Sequence, residues 1–304
     1  YYTPDELVTL VLKETLDPVV EERLRQAGPD PKKQEEALLS LRIVDPAVGS
    51  GHFLLGAARR LARRLAQVRT GLPDPPQADY RQAIRDVVQH TLYAVDVNPL
   101  AVELCRVALW MESHVPGKPL TFLEHRIRVG NSLVGTLGPD VLQQGIPDDA
   151  YQPKSTDDRA AARRAKEANR HARLGIQDLF NQLPQPHSQL AARLEALTAL
   201  PENTPHDIAQ KAQHYQAIQQ AAQKLRLAAD LWTAAFFQPL QPGTTPITTH
   251  HLRAVLHGGS LPPDIEKAVL EYATKHHFFH WWIEFPDVMK RGGFDVVLGN
   301  PPWE

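Results

Sequence analysis

The chain has 304 residues, with 33 Lys and Arg against 35 Asp and Glu, and a formal net charge of −2. That length suits one large or two modest domains with a real core, and the charge balance excludes a globally polybasic binder of nucleic acid. A single cysteine, Cys105, excludes a disulfide framework or a thiolate metal site and fits a reducing, cytoplasmic compartment, while the lack of any run of ~18 apolar residues excludes a membrane span.

The chain opens on Tyr1-Tyr2-Thr3-Pro4-Asp5-Glu6, which predicts a helix start. Thr3 suits the N-cap, Pro4 the first helical position, and Glu6 completes a Thr-x-x-Glu capping box. Leu7, Val8, Val11 and Leu12 supply a buried stripe, and the free N–H groups of such an end form a natural anion site. A charged helix from Lys32 to Leu39 leads into a β-branched strand, Arg42-Ile43-Val44-Asp45. The turn Pro46-Ala47-Val48-Gly49-Ser50-Gly51 and a helix running through Arg64 follow. Leu54, Ala58, Leu61 and Leu65 mark that helix's buried side. Five arginines from Arg59 to Arg69, with no acid among them, read either as a solvated face or as one turned toward phosphate.

A strand–Gly-x-Gly–helix unit holds nucleotide-like cofactors at the carboxyl edge of a sheet. The nicotinamide fingerprint needs a third glycine where this chain has Leu54, which argues against a dinucleotide. A turn-rich loop, Gly71 to Pro76, precedes a helix at Tyr80–Gln89 and a second strand, Thr91 to Asp96. Asp96 ends that strand where α/β nucleotide sites place a ribose-binding acid, though 45 residues past Gly51 rather than roughly twenty. Val97-Asn98-Pro99 then starts a helix that should bury Ala101, Leu104, Cys105, Ala108 and Leu109. A third strand, Arg126 to Val129, ends in Gly130-Asn131-Ser132.

From Leu137 to His280 the connection is several times longer than a βαβ crossover of about 30 residues. Tyr215, Ile218, Ala222, Leu225, Ala229, Trp232 and Phe236 form an a/d seam, with helices near Asp157–Leu174 and His187–Leu200 as packing partners in a hairpin or small bundle. Between Lys154 and Arg173 seven Lys and Arg face three Asp and Glu, which reads as a solvated helix face ahead of a phosphate contact. His276, His277 and His280 sit in an aromatic run and read as packing residues, and no metal-ligand spacing occurs. The chain closes on a buried strand, Phe294 to Gly299, followed by Asn300-Pro301-Pro302-Trp303. It starts without Met and stops at Glu304, just after a strand and a Pro-Pro turn, and we read it as a fragment of a longer protein.

Asp-Pro-Ala-x-Gly-Ser-Gly-His-Phe, Asp-x-Asn-Pro-x-Ala-x-x-Leu and Asn-Pro-Pro-Trp together resemble motifs I, II and IV of γ-class N6-adenine DNA methyltransferases. The lead-in His280-Trp281-Trp282-Ile283-Glu284-Phe285-Pro286-Asp287 is similar to that of the large type IIG restriction–modification and phage-defence (PglX-like) methylases. The resemblance covers Tyr1 to Leu133 and His280 to Glu304. It implies a Rossmann-like α/β fold, a doubly wound, mostly parallel sheet of which only the N-terminal part is present, with a large α-helical insertion. It divides the chain into a cofactor-binding half at 1–136, the insertion at 137–280 and a catalytic strand at 281–304.

S-adenosylmethionine is the cofactor implied, held by Tyr2, Thr3, Asp45, Ala47, Gly49, Gly51, Phe53, Asp96, Val97, Asn131 and Ser132. Asn131 stands where many relatives have Asp. Asn300, Pro301, Pro302 and Trp303 are the implied catalytic residues, and the implied substrate is a flipped adenine in double-stranded DNA. Restriction or defence-system subunits are further implied partners. Related enzymes that methylate ribosomal RNA guanine or protein glutamine also use Asn-Pro-Pro-aromatic, and a non-catalytic segment of the same fold is a third reading.

Overall fold

The computed structural model describes residues 4–174 and 186–301. They form two compact units. The first comprises Tyr1–Gly130, Glu195–Tyr215 and Arg291–Glu304, and the second Asn131–Leu194 and Gln216–Lys290.

The first unit is built on four short parallel strands in the order β3-β2-β1-β4: β1 Ile43–Asp45, β2 Leu92–Asp96, β3 Ile127–Val129 and β4 Val296–Val297. Ile43 is in register with Leu92 on one side and Val296 on the other, and Ala94 with Ile127. All of β1 and the first four residues of β2 are buried, as expected for parallel strands covered by helices. Asp295 sets the register of β4. Its carboxylate accepts from the Arg42 backbone N–H (2.8 Å) and from Arg23, and its own N–H donates to the Arg42 carbonyl (2.9 Å).

Five helices cover these strands: α1 Asp5–Ala27, α2 Pro31–Leu39, α3 His52–Thr70, α4 Gln77–His90 and α5 Pro99–Glu112. α1 begins at Asp5 with Pro4, not Thr3, at its N-cap. Pro4 has an extended ψ of 142° and its carbonyl accepts from the Leu7 and Val8 N–H groups (3.0 and 3.1 Å), while Thr3 lies outside the described residues. Val8, Leu12, Leu16, Val20 and Leu24 form its buried row, whereas Leu7, expected inside, is 42% exposed. Gly56 lets α1 and α3 approach closely, since a Cβ there would lie 2.8 Å from Leu12 Cδ1. On α5 the buried row is Val102, Cys105 and Leu109, and Leu104 is exposed. That helix is apolar on two sides, so the choice of inner face was open to misreading.

Four of the five arginines of α3 form ion pairs with neighbouring helices, and Arg63 is exposed without a carboxylate partner among the described residues. Arg60 pairs with Asp17, Arg64 with Glu21 (3.1 Å), Arg59 with Glu112 (2.6 Å), and Arg69 with both Glu35 (2.6 Å) and Asp86 (2.7 Å). Partial exposure keeps each pair weak, but five carboxylates stand against these four arginines, so most of the run is neutralised by its own fold.

At the amino edge of the sheet, Arg126 is fully buried. Its guanidinium lies 4.8 Å from the Tyr93 ring centroid, and its Nε donates to His125 Nε2 (2.9 Å). Residues 195–215 add a buried ion pair, Lys211 Nζ to Glu202 Oε1 at 2.7 Å, both side chains 1% exposed. The other Glu202 oxygen accepts from the Phe122 N–H.

The second unit is helical. Its elements are α6 Asp140–Gln144, a 3-10 turn at Asp148–Tyr151, α7 Arg159–Arg173, parts of α8 Pro186–Ala199 and α9 Pro205–Ala234, then α10 Thr249–Leu256, α11 Pro263–His276, α12 Trp281–Glu284 and α13 Pro286–Lys290. Buried polar clasps tie it together. Asn169 donates to the Ile146 carbonyl (2.7 Å) and accepts from the Thr249 N–H (2.8 Å). Near its end, Val134–Thr136 runs beside Phe279–Trp281, and a Cβ on Gly135 would fall 1.9 Å from the Phe279 carbonyl oxygen, so only glycine fits there. His280 is packed, 1% exposed, and both its ring nitrogens have partners. Its Nδ1 accepts from the Thr136 N–H (3.1 Å), and its Nε2 meets Asp230 at 2.9 Å. Among the described residues no helix is long and apolar enough to cross a membrane.

Candidate active site

In a parallel sheet every strand delivers its carboxyl end to the same edge, and ligands of open α/β sheets bind outside that edge. The order β2-β1-β4 therefore sets three chain segments side by side: Asp96 and Val97 after β2, Asp45 to Gly51 at the end of β1, and Leu298 to Pro301 after β4. Main-chain bonds lock the arrangement. Val48 N–H donates to the Val95 carbonyl (3.1 Å), and Leu298 N–H to the Val44 carbonyl (2.8 Å).

The turn after β1 depends on its glycines. Gly49 and Gly51 both have positive φ, 53° and 91°, a region that side chains disfavour, and Gly51 is the left-handed N-cap of α3. A Cβ on Gly51 would also lie 2.9 Å from Cys105 Sγ. Burial pushes the Cys105 thiol up to about 12, so it is an inert packing group. Gly49 N–H donates to Asp96 Oδ2 (2.8 Å), and Asn98 N–H donates to Oδ1 (2.9 Å). Asp96 is thereby aimed by both neighbouring loops while remaining partly exposed. Each of its oxygens retains acceptor capacity for a hydroxyl. Asn98 in turn caps α5, accepting from the Leu100 N–H at 3.0 Å.

Asp45 is 1% exposed, and its Oδ1 accepts from the Ala47 N–H at 3.0 Å. Burial raises its carboxyl from 3.8 to about 7, with the negative charge of Asp96 adding to the effect. Gly299, not singled out from the sequence, is required beside it. Its φ is +149°, and a Cβ there would fall 2.9 Å from Asp45 Oδ1. The available signal was its place between a strand and Asn300. Asn300 and Pro301 follow in exposed backbone.

The other expected residues distribute as follows. Ala47 is partly buried in the turn, Val97 is 47% exposed beside Asp96, and Phe53 is 5% exposed within the hydrophobic core of the first unit. Asn131 and Ser132 belong to the second unit, where Asn131 N–H donates to the His277 carbonyl (2.7 Å) and Asn131 Oδ1 accepts from Leu133 N–H (3.0 Å). Tyr2, Thr3, Pro302 and Trp303 lie outside the described residues. A separate cleft of about 880 Å³ runs between α1 and α3, and none of the expected residues lines it. Among the described residues no cluster of three or more His, Cys, Asp or Glu is placed to hold a metal ion.

Comparison with known proteins points to methylases. Over its whole length the chain is 25% identical to a putative type II restriction enzyme and methyltransferase of Methanocaldococcus jannaschii, covering 28% of that protein. It is 38% identical over 107 residues to the adenine-specific methyltransferase PglX of Streptomyces coelicolor, a match covering 35% of this chain and 7% of that protein. The chain thus spans less than a third of the curated relatives it matches. The family model of the Eco57I restriction-modification methylase matches residues 90–304, more than half of the chain, and the chain belongs to that family.

Proposed function

We propose that this chain carries the cofactor-binding and catalytic segments of an enzyme that methylates the N6 amino group of adenine in DNA, within a restriction–modification or defence system. The observation that carries the proposal is the adjacency of β2, β1 and β4, which sets Asp96, the Asp45–Gly51 turn and Gly299-Asn300-Pro301 along one sheet edge. The four parallel strands are, in this reading, the start of a Rossmann-like methyltransferase sheet. Residues 1–136 serve the cofactor, 137–280 are inserted, and 281–304 supply the catalytic strand.

When bound, S-adenosylmethionine supplies an electrophilic sulfonium methyl. The residues present fit such a group. Gly49 leaves open space where a Cβ would stand, Asp96 offers oriented oxygens to ribose hydroxyls, and the carboxyls of Asp96 and, when ionised, Asp45 favour a cationic ligand. Thr3, ahead of α1, and Asn131 would complete the hold on the methionine and adenine ends.

Adenine N6 is a poor nucleophile because its lone pair is delocalised into the ring. The Asn300 side-chain oxygen and the Pro301 carbonyl are two acceptors for the two N6 hydrogens, which favours a pyramidal nitrogen with its lone pair free. Proline stiffens the turn, so the acceptors need little reorganisation. The base must leave the duplex to reach them, and Trp303 would give it a stacking face.

The test is methyl transfer from labelled cofactor by the intact protein, followed by nucleoside digestion of the DNA. N6-methyldeoxyadenosine is expected. Asn300→Ala should lower the rate about a hundred- to thousandfold while cofactor affinity holds, and Asn300→Asp should keep measurable activity. Label in ribosomal RNA or protein glutamine with unmodified DNA would overturn the proposal.

A further inference from the structure

The second arginine-rich run has a different fate from the first. On α3 five carboxylates, from α1, α2, α4 and α5, serve four of the five arginines, Arg63 having none among the described residues. On α7 the two carboxylates that precede the helix, Asp157 and Asp158, are turned to the backbone. Asp158 caps the helix by accepting from the Ala161 N–H (2.6 Å), and Asp157 accepts from the Lys154 and Leu240 N–H groups (2.9 and 3.1 Å).

At about 100° per residue, Arg159, Arg163, Lys166, Arg170 and Arg173 fall within ~80° of arc. They form a single stripe ~21 Å long at ~1.5 Å per residue. The face that adjoins the stripe on one side, Ala161, Ala162, Ala165 and Asn169, is buried in the second unit. Two carboxylates serve the five cations. Asp148 reaches Arg170 (2.6 Å), Lys166 and Arg173 (both 3.6 Å), and Glu167 approaches Arg163 at 3.4 Å. Arg159 has no carboxylate partner among the described residues, and the Arg163 side chain is 82% exposed. Within Arg159–Arg173 the exposed surface carries no Leu, Ile, Val, Met, Phe, Tyr or Trp, Leu174 at the C-cap being the first exposed apolar side chain, although the core of a protein–protein interface is built from such residues.

We propose that this stripe on α7 is a DNA-backbone contact, by which the inserted unit holds the duplex through phosphates rather than through base edges. The inference rests on the reading of the protein as a DNA methyltransferase and extends it to a unit with no assigned role. Duplex DNA carries one charge per ~1.7 Å of axis, so a 21 Å stripe faces about a dozen charges and has ample sites for its surplus cations. Such contacts position the protein and carry no sequence information.

The test is the salt dependence of duplex binding by the intact protein, with methyl transfer measured in parallel. Each lost phosphate contact flattens the log–log slope by about 0.9. Arg159→Gln with Arg163→Gln should therefore flatten it by ~1.8 and weaken binding tens-of-fold near 0.1 M salt. Replacing the same pair by Lys should preserve the slope, and Lys267→Gln with Lys275→Gln on α11 should leave it unchanged. A wild-type slope in the Gln pair, or an equal loss in the α11 control, would overturn the stripe alone. A wild-type protein that neither binds nor methylates DNA would overturn the stripe together with the reading beneath it.

Discussion

Asp45 is the ionisable group through which the fold makes the site measurable. Burial holds its carboxyl at about 7 in place of 3.8, so the unfolded chain ionises at a lower pH than the folded one. The stability linked to this group is therefore fully present below about pH 4. It is lost at up to ~1.4 kcal/mol per pH unit as pH rises toward 7, and is constant above that. Across the window the loss is ~4 kcal/mol. Asp45→Asn abolishes the ionisation and keeps an oxygen for the Ala47 N–H, but it buries an amide NH₂ at a cost of about 1–3 kcal/mol.

The variant should thus be less stable than the wild type near pH 4 and about 1–3 kcal/mol more stable at pH 8. Urea unfolding of both proteins at several pH values between 4 and 8 measures the difference directly. A difference that stays constant across that range would refute the buried, ionising Asp45 inferred from its 1% exposure. If Asp45 faces a cationic cofactor, S-adenosylmethionine should stabilise the wild type more than the Asn variant at pH 8.

Two further changes probe the structure around the site. Gly51→Ala should cost about 1–3 kcal/mol for its left-handed backbone and more for the contact with Cys105 Sγ, read as a lower Tm. Adding Cys105→Ala should recover only the contact, and full recovery would mean that the turn does not need glycine. Lys211→Met leaves Glu202 buried and unpaired and should destabilise by about 3–5 kcal/mol. The double variant with Glu202→Gln, which keeps an acceptor for the Phe122 N–H, should restore most of that loss in denaturant titration.

What the sequence disclosed and what it hid divide along the range of the interactions involved. The glycine turn was legible because tolerance of positive φ is a property of single residues, and Gly49 and Gly51 adopt it. The strands and covering helices were legible because burial imposes a local period. The period failed where two sides of a helix are apolar. On α5, Val102 took the inner place assigned to Leu104, since nothing within the helix distinguishes the faces.

Charges were the least legible, because their partners are remote in sequence. Arg60 finds Asp17 across 43 residues and Arg59 finds Glu112 across 53, whereas His280 finds Asp230 across 50 and Thr136 across 144. A run of arginines therefore does not reveal from its own composition whether it is a staple or a contact surface. That is decided by whether the tertiary fold brings carboxylates to it. On α3 it does, through four other helices. On α7 Asp157 and Asp158 cap backbone N–H groups, and among the described residues only Asp148 and Glu167 are brought to the five cations of the stripe. The same argument applies to the site. Asp45, Asp96 and Asn300 are ordinary residues at strand ends until the parallel order of β2, β1 and β4 sets them along one edge, and that order is a property of the whole sheet.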